Sequence, residues 1–325
     1  MKIPRRKFLL LAAGPIALPA VLRAARAQAY PARPVHLIVG FPPGGAGDIL
    51  ARLVGQWLEK RFGQPVIVEN RPGAGGTIAT ELVVRSPPDG YTLTVVGTAS
   101  AINMTLYEKL NYDFARDVEP VAGLAHGPLV MLANPAFAIR TLPDFIAYAK
   151  ANPGKINMGS GGSGTPSHVS GELFKMMAGV NMVHVPYRGS GPALNDLIGG
   201  QVQVDFDPLI SSIAHIKAGT VRALAVTTAG RTEFLPDIPA VSEFVPGYES
   251  TIWNGIAAPR GTPFEIVDII NSTINAALSR PETKAQLAGL GSTALAVSPA
   301  ELGKLFADEA EKWAKVVKFS GATPG

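Results

Sequence analysis

The sequence predicts an α/β protein of two modules, each a parallel sheet with helices on both faces. Three observations lead there. Apolar runs of strand length alternate with segments of helical period, the pattern of strand–helix–strand units. Hydrophobic residues make up 47% of the 325-residue chain, enough for a sizeable core. The 35 glycines and 28 prolines follow no fixed period, so they punctuate many short elements rather than build a fibrous repeat.

Residues 35–41 read as a buried strand. Ile49, Leu50, Leu53, Val54, Trp57 and Leu58 then share one helical face, and Gly63 stops that helix. A strand at 65–69, a helix at 77–86 and a strand at 91–96 complete the first series. The second starts near residue 128 with a strand at 129–132. Thr141-Leu142-Pro143-Asp144 announces a helix to Lys150, because threonine caps a helix and proline is tolerated in its first turn. Strands are expected at 155–158, 182–185, 202–206 and 221–226, with helices at 166–178, 192–199 and 209–218. Residues 250–257 read as a strand, and the chain from Pro263 on as helix with breaks at Pro281 and Ser298-Pro299.

Cysteine is absent, which excludes disulfides, thiolate metal sites, iron–sulfur clusters and cysteine nucleophiles. The formal charge of +4 is set by Lys2, Arg5, Arg6, Lys7, Arg23 and Arg26. From residue 30 onward 23 basic residues face 25 acidic ones, so the basic excess expected of a nucleic-acid partner is missing. The five histidines show no metal-ligand spacing, and no metal or cofactor is expected. Residues 1–29 read as an export signal: a basic start, an apolar run over 8–22, and Ala27-Gln28-Ala29 before Tyr30. Pro15 and Pro19 make that run too broken to span a bilayer. Arg5-Arg6-Lys7-Phe8-Leu9 resembles a twin-arginine signal. The mature chain is expected to be soluble outside the cytoplasm.

Three loops rich in glycine and hydroxyl groups follow expected strands, at the strand ends where open α/β sheets bind ligands. The first is Phe41-Pro42-Pro43-Gly44-Gly45-Ala46-Gly47-Asp48. Its glycines let backbone N–H groups approach a ligand, and the helix after it adds partial positive charge. No Lys-Ser/Thr follows, so it is not a P-loop. A tight turn with Asp48 as a plain cap fits equally well. The second is Gly159-Ser160-Gly161-Gly162-Ser163-Gly164-Thr165-Pro166-Ser167-His168. It matches G-x-G-x-x-G, but the next strand ends Val185-Pro186-Tyr187-Arg188, without the acid a dinucleotide site needs. Thr165 reads as a helix cap, Pro166 as the first helical residue, and His168 as a neutral imidazole in the first turn. Such a nest of N–H and hydroxyl groups suits a carboxylate. The third, Gly97-Thr98-Ala99-Ser100-Ala101, is weak alone. In Asp205-Phe206-Asp207 one acid faces the cleft or caps the next helix. Trp253 belongs to a cleft wall or to the core.

These loops, with Val68-Glu69-Asn70-Arg71-Pro72-Gly73-Ala74-Gly75-Gly76, Pro88-Asp89-Gly90-Tyr91-Thr92-Leu93, Val185-Pro186-Tyr187-Arg188-Gly189, Leu235-Pro236-Asp237-Ile238-Pro239 and Ala258-Pro259-Arg260-Gly261-Thr262-Pro263, resemble the extracytoplasmic solute receptors of tripartite tricarboxylate transporters, the Bug receptor family. The resemblance covers nearly all of the chain after the signal. It implies a two-lobed, type II-like periplasmic-binding-protein fold with the ligand cleft between lobes. One lobe would be 30–127 plus 252–325 and the other 128–251. It further implies a periplasmic, monomeric, non-catalytic receptor that holds a small carboxylate, partly through water, and meets membrane transporter subunits transiently. The residues expected at the ligand are Phe41, Gly44, Gly45, Asp48, Thr98, Ser100, Ser160, Gly161, Ser163, Gly164, Thr165, His168, Tyr187 and Asp205. The competing reading is an exported serine hydrolase using Ser163 and His168, although no acid is placed behind that histidine.

Overall fold

The computed structural model describes residues 30–320 and 322–324; the expected export signal lies outside them. The chain runs β1 (Val35–Val39), α1 (Ala46–Phe62), β2 (Val66–Asn70), α2 (Thr77–Val84), β3 (Thr92–Gly97), α3 (Thr98–Leu106), α4 (Phe114–Asp117) and β4 (Val118–Ala133). It continues α5 (Leu142–Ala151), β5 (Asn157–Ser160), α6 (Pro166–Ala178), β6 (Val183–Pro186), α7 (Ser190–Ile198), β7 (Val204–Pro208), α8 (Leu209–Lys217) and β8 (Arg222–Val226). It closes with β9 (Thr251–Pro259), α9 (Phe264–Leu278), α10 (Pro281–Gly289), β10 (Thr293–Ala294) and α11 (Pro299–Ser320).

Among the described residues the strands form one sheet in the order β2-β1-β3-β9-β4-β7-β5-β6, with β8 and β10 pairing β4 beside that path. β1 runs parallel to β2 and β3, and β5 runs parallel to β6 and β7. These are the two series legible in the sequence. The centre differs from the expected all-parallel modules. β9 is antiparallel to β3, and β4 is antiparallel to β9, β7 and β8. β4 is 16 residues long and begins 11 residues before the strand expected at 129. Glu119, Pro120, Gly123, His126 and Gly127 break any apolar run there. The strand accommodates them by register shifts at Pro120/Ala122 and Gly123/Ala125. Bulges are where sheets tolerate proline and glycine.

The helix signals hold at several ends. Gly63 and Gly179 cap α1 and α6 in the left-handed region, and Thr141 and Thr165 accept first-turn N–H groups of α5 and α6. Residues 98–101, expected as part of a loop, form the first turn of α3. Its nine residues Thr-Ala-Ser-Ala-Ile-Asn-Met-Thr-Leu carry weak helical propensity, and the helix stands because Ala101, Ile102 and Leu106 bury against a cluster with Phe306 and Trp313 of α11. One end of the sheet packs Leu37, Leu50, Leu93 and Ile270. The other packs Phe145, Phe174, Phe206 and Tyr248 on one face and Leu194, Leu197 and Ile213 on the other. No helix among the described residues is long and apolar enough to cross a membrane.

Candidate functional site

Five strand-to-helix junctions meet at one cavity of about 80 Å³. α1 contributes Ala46 and Gly47, α3 contributes Thr98, Ala99 and Ser100, and α6 contributes Pro166 and Ser167. α7 contributes Ser190, and Pro208 stands directly before α8. Phe41, Val95, Val96, Ile252 and Trp253 supply apolar wall, and no ionisable side chain among the described residues lines the cavity. The first-turn N–H groups of a helix lack partners within it, and each N-terminus carries roughly half a positive charge. Five such ends around an uncharged cavity make a field suited to an anion.

Of the residues singled out in the sequence, Phe41, Gly45, Thr98, Ser100, Gly161 and Thr165 line this cavity. Ser163 and Tyr187 instead line a neighbouring open groove of about 500 Å³ that shares Phe41 and Gly161. Gly44 is an exposed residue of the first loop, and Asp48 stands behind it. The buried Asp48 carboxylate accepts from Gly44 N (3.0 Å), Arg52 Nε (3.1 Å), Arg52 Nη2 (2.9 Å) and Asn70 Nδ2 (3.0 Å). Burial pushes its pKa up, but these donors outweigh that and hold it below the ordinary aspartate value. Asn70 Nδ2 also donates to Phe41 O at 2.8 Å, so one cluster fixes the whole loop.

Ser160, Gly164 and His168 stand behind the second loop. Ser160 Oγ lies 2.6 Å from His184 Nε2 and accepts from Gly162 N at 3.1 Å. Gly164 N donates to His168 Nδ1 at 3.3 Å, and the His168 ring stacks on His184 with centroids 4.0 Å apart. Ser163 and His168 share no hydrogen bond, and the histidine nitrogen that would act as base already accepts one. Asp205 is fully buried on β7, and no side chain among the described residues hydrogen-bonds its carboxylate. Burial and the neighbouring Asp207 push its pKa well up, and it stands behind the wall. Trp253 both lines the cavity and packs edge-on against Phe306.

Gly189, Ser190, Pro208, Ile252 and Asn254 also line the cavity and were not singled out. Gly189-Ser190-Gly191-Pro192 carried a signal, a glycine and a first-turn proline straight after an expected strand. Ile252 and Asn254 carried none, because they sit inside a strand.

Loops from the two ends of the sheet touch beside the cavity. A Cβ on Gly189, whose φ is +144°, would lie 2.7 Å from Pro42 Cδ. A Cβ on Gly164, at φ +77°, would overlap Asn103 Oδ1 and lie 2.7 Å from Leu106 Cδ2. Both glycines are required by a close approach as well as by a left-handed backbone.

The family model described as "Tripartite tricarboxylate transporter family receptor" matches residues 50–321. The chain belongs to that receptor family. Protein BugT of Bordetella pertussis is 36% identical over 299 residues, covering 91% of this chain and 92% of that protein. Among solved structures, the R. palustris protein Rpa4515 with adipate matches with a TM-score of 0.88 at 37% identity, over 91% of this chain and all of that one. MatC from Rhodopseudomonas palustris with bound malate matches with a TM-score of 0.84 at 33% identity, over 89% of this chain and all of that one. The two solved structures share the fold found here over about nine-tenths of this chain.

In this receptor the buried ionisable groups oppose each other in pH dependence. Burial, together with His184 and Lys175, lowers the His168 pKa to about 3; burial and Lys175 lower that of His184 to about 4. Between those values and 6.5 the unfolded chain binds protons that the folded one refuses, so these histidines reduce stability as pH falls. Asp205 and Asp207 have raised pKa values, chiefly from burial. Above the ordinary aspartate value the folded chain keeps protons that the unfolded one releases, so these acids increase stability as pH falls. The two slopes offset, and the wild-type protein is expected to vary little between about pH 6 and about pH 4.5. In Asp205→Asn/Asp207→Asn the histidine slope stands alone, and stability should fall by about 1.4 kcal/mol per pH unit for each histidine. Urea unfolding across that range measures it. Parallel curves for the two proteins would contradict the assignment.

Proposed function

We propose that the protein is a periplasmic solute receptor that holds a small organic carboxylate and presents it to the membrane subunits of a tripartite tricarboxylate transporter. The observation that carries this reading is the convergence of five helix N-termini on a cavity with no ionisable side chain among the described residues of its wall. Such a site favours an anion without a fixed counter-charge, and backbone N–H groups with hydroxyls supply the hydrogen bonds. The adipate and malate of the two structural relatives agree in chemical class.

In this reading the lobes are 30–127 plus 252–325 and 128–251, joined where β4 and β9 cross. Phe41, Gly45, Thr98, Ser100, Gly161 and Thr165 meet the ligand, with Ser163 and Tyr187 at the adjoining groove. Gly44, Asp48, Ser160, Gly164, His168 and Asp205 shape the loops and wall behind it. The protein works as a monomer exported by its first 29 residues. It holds its ligand without transforming it, and the lack of a hydrogen bond between Ser163 and His168 among the described residues supports that over a hydrolase.

A thermal-shift screen of the mature protein tests the reading. A carboxylate present at 100 times its Kd stabilises the folded state by about 2.7 kcal/mol by mass action, and the melting temperature rises accordingly. Sugars and divalent cations are expected to leave it unmoved. A screen in which sugars alone stabilise the protein ends the carboxylate reading.

A further inference from the structure

Four polar side chains of the cavity wall are engaged within the protein, and Trp253 Nε1 is a buried donor without a hydrogen-bond partner there. Thr98 Oγ1 accepts from Trp253 N at 3.0 Å, and Ser100 Oγ accepts from Gly97 N at 3.3 Å. Thr165 Oγ1 donates to Gly162 O at 2.6 Å, and Ser167 Oγ accepts from Gly161 N at 2.9 Å. Ser190 stands near Asp207, whose Oδ2 accepts from Ser211 Oγ at 2.9 Å. The Asn254 carboxamide lines the same cavity, is half-buried, and makes no hydrogen bond among the described residues. Elsewhere the fold uses asparagine differently: Asn103, Asn134 and Asn271 are buried and each donates to a backbone carbonyl. Asn254 has no such structural duty.

Its position is fixed. Asn254 lies in β9 between β3 and β4, opposite Gly97 and Ala125. Gly97 has no room for a side chain, since a Cβ there would overlap Trp253 O and stand 3.3 Å from Asn254 Oδ1. The carboxamide therefore lies against bare backbone beside the first turn of α3. A carboxamide offers donors and an acceptor and carries no charge. The helix N-termini already serve the ligand's charge. What a carboxamide adds is a partner for a neutral group that both gives and takes a hydrogen bond, and a hydroxyl is such a group. Around it Phe41, Val95, Val96, Pro166, Pro208 and Ile252 are apolar, and the Trp253 indole can donate but not accept. A ligand that leaves the carboxamide bare is penalised, because a polar group shut away from water without a partner costs free energy.

We propose that Asn254 is a specificity-determining residue that hydrogen-bonds a hydroxyl on the ligand, so that the receptor prefers hydroxycarboxylates to the same acids without the hydroxyl. This rests on the carboxylate reading above. Calorimetry on the mature protein tests it with propionate against lactate, succinate against malate, and glutarate against 2-hydroxyglutarate. In at least one pair the hydroxy acid is expected to bind about tenfold tighter, the discrimination typical of one buried hydrogen bond. In Asn254→Leu, which keeps the volume and removes the polar atoms, that ratio should collapse to about twofold or less. Asn254→Ala, with less bulk, guards against misfolding of the leucine variant and should show the same collapse. A ratio that survives in either folded variant overturns the proposal, as does a wild-type protein that binds acids of these pairs without discriminating within any of them. Failure of every carboxylate to bind removes the functional reading itself, a different result from binding without discrimination.

Discussion

Gly164→Val is expected to weaken carboxylate binding by about a hundredfold or more while leaving both ends of the sheet folded. Gly164 holds a φ of +77°, which a β-branched residue adopts only under strain, and a Cβ there would overlap Asn103 Oδ1. The opposing side chains have nowhere to go. Asn103 is buried and donates to Gly75 O at 2.8 Å, and Leu106 is buried in the α3–α11 cluster. The loop must therefore back away from α3, taking with it Gly161 and Thr165 of the cavity wall. Strain and overlap together amount to about 3 kcal/mol against the arrangement that binds, and apparent affinity drops by the corresponding population factor. Calorimetry reads the loss, and small-angle scattering should show a larger radius of gyration at saturating carboxylate than for the wild type. Wild-type affinity in the valine variant would mean that the loops need not meet for binding.

The second large effect is expected at Asp48, although its carboxylate does not line the cavity. In Asp48→Ala, Gly44 N, the Arg52 guanidinium and one bond of Asn70 lose their acceptor together. Hydrogen bonds to a charged group are worth about 1.5–3 kcal/mol each, but Arg52 is half exposed and recovers water. A stability loss of about 2 kcal/mol and an affinity loss of about tenfold follow, the latter because Phe41 and Gly45 are no longer held. Asp48→Asn should fall between, since it keeps an acceptor for Gly44 N and loses the ion pair. The contribution also has a pH signature. The folded-state pKa is lowered, so this stabilisation is present above the ordinary aspartate value and lost as pH falls through the folded one. Urea unfolding and calorimetry on the three proteins check the order, and full affinity in Asp48→Ala would confine the residue to capping.

The parallel ends of the sheet were legible because their strands are short apolar runs followed by glycine and a capping residue. Gly63, Thr141 and Thr165 each acted where their chemistry pointed. The centre was not legible, because β4 carries Pro120, Gly123 and Gly127 and is held by pairing to β9, a partner more than a hundred residues away. The loops of the cavity were legible for the same reason as the parallel strands. The separation of lining residues from supporting ones was not: Asp48 and Gly45 look alike in a glycine-rich string, and only packing turns one inward and the other back. Asp205 shows the limit most plainly. An acid at a strand end suggests a cleft, and the strand instead buried it beside Asp207, away from the cavity.

The pairing of β3 with β9 also sets a timetable for synthesis. Trp253 N donates to Thr98 Oγ1 across 155 residues, and α3 rests on α11 at the far end of the chain. As the polypeptide emerges from the ribosome, the first three strands can align with one another, but their open edge has no neighbour until residue 259 has appeared. The helix that covers them is complete only at residue 320. The stretch from β4 to β8 can be completed earlier, so the middle of the chain can mature before its beginning. The growing molecule carries an unfinished front end through most of its translation, a state that chaperones can engage before the sheet closes.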